Sequence, residues 1–361
     1  MRSAQPDAPQ PAPLPQTSVL IVDDSIVARS ILERIIDQSL HFNVVGSVPS
    51  AADALDMLAH IKPEIIVLDI EMPGMNGLAA LPLILRSSPK SRVLILSASA
   101  QEGGPAALEA LARGAADTLV KPGRGTIAGN FSNLLLDRLL QLALIERELS
   151  PQLEVEPAAP LPPVEHRSAI AAIGIGASTG GIMAINGFFG ALPDTMTKPI
   201  FITQHLPESF IPFFAEQLQR LTHREVVVAA DGMAVRDGLV ALAPGDGHIR
   251  FAHRGKQIFL RIDRSAAPSG ATPSVDPMME ALATAYGSAA CGIMFSGMGR
   301  DGVEGARLLR RAGGLMLAQD PESCVVWGMP GAVADAGLAH AIQNPMAIAA
   351  TITRLAEGAL L

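Results

Sequence analysis

The chain has 361 residues, 49% of them apolar and only 4% aromatic, which is room for about two domains with cores of Ala, Val, Ile, Leu and Met. Its 27 Lys and Arg against 35 Asp and Glu leave a net charge of −8 with no basic cluster, which argues against nucleic acid as a partner. No run is long and apolar enough to enter or span a bilayer, and Cys291 and Cys324 stand in no metal-like spacing, so a cytoplasmic, reducing setting with buried thiols is expected.

Residues 1–16, rich in Pro and Ala without an apolar core, read as a disordered arm and not a signal peptide. From Thr17 strands and helices alternate. Val19 to Val22 is a buried strand that ends on Asp23 and Asp24. The helix after it carries Ile31, Leu32, Ile35, Ile36 and Leu40 at helical spacing. Val44-Val45 is a second strand and 51–61 a second helix. Ile65 to Leu68 delivers Asp69, Val93 to Leu96 delivers Ser97, and Thr118 to Val120 delivers Lys121. This alternation predicts a doubly wound parallel sheet, whose ligand site lies at the strand C-termini. Asp23, Asp24 and Asp69 would repel one another there unless a cation takes them up, and oxygen ligands of this kind suit Mg²⁺. Lys121 adds a point charge for an acyl phosphate and Ser97 a hydroxyl donor, so Asp69 can accept a phosphoryl group beside the metal.

Asp23-Asp24-Ser25, Asp69 with Glu71-Met72-Pro73 and Asn76-Gly77, Ser97 and Lys121-Pro122 resemble, in order and spacing, the receiver domain of bacterial response regulators, a flavodoxin-like (βα)5 fold. The resemblance implies Asp69 as phospho-acceptor, Asp23, Asp24 and Asp69 as the Mg²⁺ pocket, and Ser97 and Lys121 as phosphoryl ligands. It adds the backbone carbonyl of Glu71 to the metal site and a histidine kinase as phosphodonor. Thr118 departs from the pattern, standing where such domains carry an aromatic switch residue.

A helix over 127–149 follows, with Leu134, Leu135, Leu139, Leu142 and Ile145 as its apolar stripe. Prolines 151, 157, 160, 162 and 163 then make an extended linker. The expected division is a receiver over 17–148, a linker over 149–167 and a second domain over 168–358.

In that second domain an apolar run, Ala169 to Ile175, leads into Gly174-Ile-Gly-Ala-Ser178-Thr-Gly-Gly181 and a helix to Leu192. A serine on a glycine-flanked strand-to-helix turn is exposed, and the helix N-terminus behind it offers N–H groups to an oxyanion. Gly174-x-Gly176 begins like a dinucleotide fingerprint, but Thr179 stands in place of the third glycine. Pro199 to Thr203 is a strand ending on Gln204-His205, followed by a helix over 209–221 with Ser209 as N-cap. Residues 225–230, 239–243, 248–253 and 257–261 are strand-like, the last two a hairpin around Arg254-Gly255. Asp276-Pro277 opens a helix to Tyr286, and Ala290 to Phe295 is a strand ending in Ser296 to Gly302. A helix at 303–311, a strand at 315–317 and a last helix capped by Asn344-Pro345 complete a doubly wound, mostly parallel sheet with a hairpin.

Ser178, His205 and Asp301 each fall at or just past the end of a parallel strand, and such ends share one rim. A hydroxyl needs a base to become a nucleophile, and a histidine base needs a carboxylate to fix its tautomer. The order Ser, His, Asp is not that of α/β-hydrolases, but triads are defined by geometry. Thr179 and Met298 could supply oxyanion N–H groups. Duller roles exist: Asp301 as a helix cap, His205 as a satisfied rim histidine, and His223, His248 or His253 as rival bases.

Ile173-Gly-Ile-Gly-Ala-Ser-Thr-Gly-Gly181, Gln204-His205, Ala243-Pro-Gly245 with His248, Pro273-Ser-Val-Asp276 and Gly297-Met-Gly-x-Asp-Gly302 resemble the catalytic domain of the chemotaxis protein-glutamate methylesterases (CheB), as do Ala318-Gln-Asp320 and Gly328-Met-Pro330. The resemblance implies Ser178 as nucleophile, His205 as base, Asp301 as its orienting carboxylate and the Met298 N–H in the oxyanion hole. The implied substrates are γ-glutamyl methyl esters on methylated chemoreceptors, with deamidation of receptor glutamines by the same route. Two departures stand near the cleft: Gly-Ala-Thr precedes Pro273 where the family has a histidine, and Arg300 adjoins Asp301. They leave room for a phospho-regulated hydrolase of another substrate, or a non-catalytic receptor-binding module.

Overall fold

A computed structural model describes residues 16–97, 104–121, 128–148 and 169–357. The expected arm (Gln16 apart), the linker 149–167, Pro122 and the side chain of Ile145 lie outside the described residues. The strands β1 (Thr17–Val22), β2 (Phe42–Val48), β3 (Ile65–Asp69), β4 (Arg92–Ser97) and β5 (Asp117–Val120) form one sheet in the order β2-β1-β3-β4-β5, parallel at every pairing. They alternate with α1 (Ile26–Asp37), α2 (Ala51–Leu58), α3 (Gly77–Ser87) and α4 (Gly104–Ala112), and α5 (Ala128–Glu148) follows. The order reverses between β1 and β3, where Asp23 and Asp69 leave the sheet, and ligand crevices form at such a reversal.

Local chemistry explains the helix boundaries. The Ser25 hydroxyl accepts the Ala28 N–H and so caps α1, which frees Asp23 and Asp24 from that duty. Pro82 inside α3 has no N–H for the Leu78 carbonyl, and the Arg113 guanidinium donates to that carbonyl instead, at 3.0 Å.

The second unit contains β6 (Ala172–Ala177), β7 (Ile200–Gln204), β8 (Glu225–Val228), β9 (Leu239–Leu242), β10 (His248–Arg254), β11 (Gln257–Asp263), β12 (Ala290–Met294), β13 (Leu315–Gln319) and β14 (Ala341–Gln343). Its helices are α6 (Gly181–Ala191), α7 (Ile211–Leu221), α8 (Val275–Tyr286), α9 (Val303–Arg311), α10 (Met329–Asp335) and α11 (Pro345–Ala356). The sheet order is β14-β13-β12-β6-β7-β9-β8, again parallel throughout, while β10 and β11 pair with each other as the antiparallel hairpin. Phe251 of β10 packs against Phe201 of β7, ring centroids 4.7 Å apart, which seats the hairpin on the sheet. β6 lies between β12 and β7, so the order reverses there too, and Ser178 follows β6 directly. No helix among the described residues is long and apolar enough to cross a membrane.

Some sequence expectations fail in detail. α1 ends at Asp37, so Leu40 lies beyond it and is 87% exposed, and Ile31 and Leu134 are only partly covered, at 38% and 44% exposed. Ser209 caps nothing: residues Glu208–Phe210 form a 3-10 turn, and Pro212 in the first turn of α7 sets that helix to start at Ile211. β2 is longer and α2 shorter than their apolar patterns indicate.

The two units touch. A Cβ on Gly104, at the start of α4, would lie 3.1 Å from the Phe213 ring of α7, and one on Gly114 would lie 3.5 Å from Met183 Sδ of α6. On the other side, Val326, Val325 and Met298 join the apolar cluster that holds Leu135, Leu139 and Leu142 of α5.

Candidate active site

Ser178 stands on a three-residue turn between β6 and α6. Its N–H donates to the Ser296 carbonyl at 3.0 Å, which ties the turn to the end of β12. Gly180 holds φ at +75°, the left-handed region, and starts α6 without a side-chain cap. A Cβ on Gly297 would sit 2.9 Å from that of Ser178, so the backbone after β12 packs directly against the serine. The Ser178 carbonyl accepts from Gln204 Nε2 and from the Gly181 N–H, both at 2.8 Å. A peptide is planar, so pinning this carbonyl inward turns the Thr179 N–H the other way. The Gly297 carbonyl is likewise held by the Met329 N–H at 2.7 Å, which orients the Met298 N–H. Neither the Thr179 nor the Met298 N–H has an acceptor among the described residues.

His205 follows β7, and its N–H donates to the Ala177 carbonyl at 3.0 Å, so it stands beside Ser178 on the rim. Its Nε2 lies 2.8 Å from Asp301 Oδ2. Nδ1 is therefore the nitrogen left for a proton from the serine. Asp301 is buried and does not cap α9, whose N-cap is Gly302 at φ +95°. Oδ2 also accepts the Val275 N–H at 2.8 Å, and Oδ1 the Ser274 hydroxyl at 2.7 Å. Burial pushes this carboxyl up, but His205, the Val275 N–H and the Ser274 hydroxyl outweigh it and hold Asp301 well below the usual carboxylate range. The rival histidines do not reach this point: both ring nitrogens of His248 are committed elsewhere, His223 lies with Arg224 and Asp237 in another crevice, and exposed His253 lies on the hairpin.

At the other reversal point, ligand oxygens of Asp23, Asp24 and Asp69 lie within 4.8 Å of one another. Lys121 Nζ sits 2.8 Å from both Asp23 Oδ2 and Asp69 Oδ2. Burial would lower the Lys121 pKa, but these carboxylates raise it. Burial, opposed by Lys121, raises that of Asp69. The Glu71 N–H donates to Asp69 while its side chain faces solvent. Ser97 Oγ, at the end of β4, is buried without a partner among the described residues. Thr118 is half-buried in β5, and its N–H donates to Asp117.

A family description for CheB methylesterase matches residues 173–352, and one for the response regulator receiver domain matches residues 19–127. The crystal structure of the Thermotoga maritima CheB methylesterase catalytic domain aligns over 52% of this chain and 100% of its own, with a TM-score of 0.51 and 32% identity. A protein-glutamate methylesterase/protein-glutamine glutaminase of Maricaulis maris is 36% identical, covering 94% of this chain and 96% of its own. The chain belongs to the CheB methylesterase family. A relative from Pseudomonas aeruginosa bearing the same name is 37% identical over 94% of this chain and 97% of its own.

In this CheB chain, several residues around the site were visible in the sequence only as motif letters. Gln204 clamps the Ser178 carbonyl. Ser296 Oγ accepts the Val326 N–H at 2.9 Å and lies 2.8 Å from the Thr179 carbonyl. Ser274 and Val275 serve Asp301 from 27 and 26 residues away. Only the resemblance of Gln204-His205 and Pro273-Ser-Val-Asp276 to the CheB pattern pointed at Gln204, Ser274 and Val275. Arg300 is exposed, and Ala271 donates its N–H to Ser269 Oγ at 3.3 Å.

Proposed function

We propose that this CheB chain is a phosphorylation-activated serine esterase of the cytoplasm. It hydrolyses glutamate γ-methyl esters on chemoreceptors and deamidates receptor glutamines. The observation that carries the reading is Asp301 bonded to His205 on the same rim as Ser178. His205 Nδ1 takes the Ser178 proton, and the serine oxygen attacks the ester carbonyl. The N–H groups of Thr179 and Met298 hold the tetrahedral oxyanion. Methanol leaves with the proton from His205, or ammonia when the substrate is glutamine. Water then repeats the sequence on the acyl-enzyme and releases a glutamate carboxylate. Mass spectrometry of methylated receptor peptides before and after incubation tests this. Loss of the methyl group is expected, and peptides left unchanged by an active, folded enzyme would overturn the substrate assignment.

The control unit, residues 17–148, joins the catalytic unit, 168–358, through the proline-rich stretch 149–167. Asp69 accepts a phosphoryl group from a chemotaxis histidine kinase, and Ser97 and Lys121 bind its oxygens. The donor set suits Mg²⁺: three carboxylates whose ligand oxygens lie within 4.8 Å of one another. Asp23, Asp24, Asp69 and the Glu71 carbonyl would hold the ion, which when bound offsets the charge of the incoming phosphate. Met298 and Val325 support the reading that the unphosphorylated receiver covers the rim, since they flank Ser178 and pack in the apolar cluster of α5. A fragment beginning at Arg167 should then hydrolyse ester faster than the unphosphorylated full chain. Equal rates in the two would rule out inhibition by the receiver.

Thr118 lacks the volume of a switch ring, so less apolar area is buried on switching and the two states should differ less in free energy. Thr118→Phe should widen the ratio of phosphorylated to unphosphorylated esterase rate, measured with a small-molecule phosphodonor and Mg²⁺. An unchanged ratio would show the ring to be dispensable here.

A further inference from the structure

Behind Ser178, His205 and Asp301 runs a second line of hydrogen bonds that ends on a buried histidine. His248, in β10, is 1% exposed. Its Nδ1 faces the Ser274 N–H at 2.9 Å and its Nε2 the Ser265 carbonyl at 2.9 Å. A backbone N–H only donates and a carbonyl only accepts, so this imidazole is neutral with its proton on Nε2. Ser274 is fully buried, with its Oγ 3.0 Å from Ser269 Oγ and 2.7 Å from Asp301 Oδ1. The carboxylate only accepts, so the Ser274 hydroxyl donates to Asp301 and receives the proton of Ser269. Oδ2 meanwhile takes the Val275 N–H and His205 Nε2, each at 2.8 Å.

We infer that Ser274, held in place by His248, is a positioning residue that locks the Asp301 carboxylate and thereby the tautomer of His205. The inference rests on the Ser178-His205-Asp301 reading and extends it outward. Rotation of the carboxylate would break the Ser274 and Val275 bonds together, so Oδ2 stays on His205 Nε2 and the Nδ1 lone pair stays on the serine side. The other groups near Asp301 are accounted for. Asp276 of α8 accepts the Gly305 N–H at 2.7 Å and also faces Asp301: its own N–H lies 3.4 Å from Asp301 Oδ1 and the two side chains are in hydrogen-bonding contact. Burial, opposed by that N–H, and the charge of Asp301 push the Asp276 carboxyl up. Arg250, further along β10, is taken by Glu280 and Asp263, and Arg300 faces solvent.

The test is the pH profile of kcat/KM for ester hydrolysis by the phosphorylated full chain. Ser274→Ala removes one donor, so Asp301 holds the His205 imidazolium more firmly and the acid limb moves to higher pH. Loss of the lock should also lower the plateau kcat about 10-fold with KM unchanged, the size of one hydrogen bond to a charged group. Ser274→Thr keeps the hydroxyl and should restore the limb. His248→Asn keeps an acceptor for the Ser274 N–H and should behave as the parent, whereas His248→Leu should reproduce Ser274→Ala. An unmoved limb in Ser274→Ala overturns the inference even if the rate falls, because a loosened fold lowers the rate without changing which proton is held. A moved limb in Ser274→Ala with a parental profile in His248→Leu overturns the part given to His248. Ser178→Ala separates the levels: activity surviving there would sink the triad itself, which Ser274 variants cannot do.

Discussion

Ser178→Ala should abolish ester hydrolysis, a loss of about 10⁴-fold or more, while leaving the fold and receiver phosphorylation intact. The Ser178 hydroxyl makes no hydrogen bond among the described residues, and alanine keeps the Cβ that packs on Gly297, so nothing structural depends on the atom removed. Methanol release from methylated receptor peptides gives the rate, and circular dichroism gives the fold. A folded Ser178→Ala protein that retains most of its activity would defeat the esterase mechanism as drawn.

Asp301→Asn should cost nearly as much, about 10⁴-fold in kcat by the behaviour of serine triads generally. An amide cannot stabilise the imidazolium on His205. If its Nδ2 faces Nε2, the histidine must carry its proton on Nδ1 and can no longer take one from Ser178. The same substitution has a stability signature. The Asp301 pKa is depressed in the folded chain, so its carboxylate contributes stability above the unfolded-state value and loses it as pH falls through the depressed one. The thermal midpoints of parent and Asp301→Asn should therefore draw together as the solution is acidified below the ordinary carboxylate range. A rate near the parent's would return Asp301 to a purely structural part, and midpoints that stay equally far apart in acid would remove its electrostatic one.

Much of this architecture could be read from the chain because polar residues interrupt apolar strands at their ends. Asp69, Ser97 and Lys121 close runs of Val, Ile and Leu, and in a parallel sheet those ends converge without further information. Ser178 announces itself through its glycines. What escaped depends on register between distant strands. That Gln204 reaches the Ser178 carbonyl follows from the pairing of Ala177 with Gln204, which no local pattern encodes. The service of Ser274 to Asp301 needs the start of α8 to meet the turn before α9, 27 residues away. Leu40 misled for the opposite reason: apolar spacing ran on by chance after the chain had left α1, and periodicity carries no stop signal of its own. Ser209 has the right side chain for a cap, but the proline at 212 decides where α7 begins.

The packing of α4 on α6 and α7, and of Met298, Val325 and Val326 in the cluster of α5, has a thermodynamic corollary. Under the proposed regulation, contact between the units and phosphorylation of Asp69 are two events on one molecule, and their coupling is reciprocal. Whatever free energy the phosphoryl group spends in parting the units, the contact imposes in return on the equilibrium phosphorylation of Asp69. The catalytic unit is then more than a passive output: by resting against the receiver it sets how strong a phosphodonor signal the receiver requires. Val326, buried in the α5 cluster, is placed to adjust that threshold.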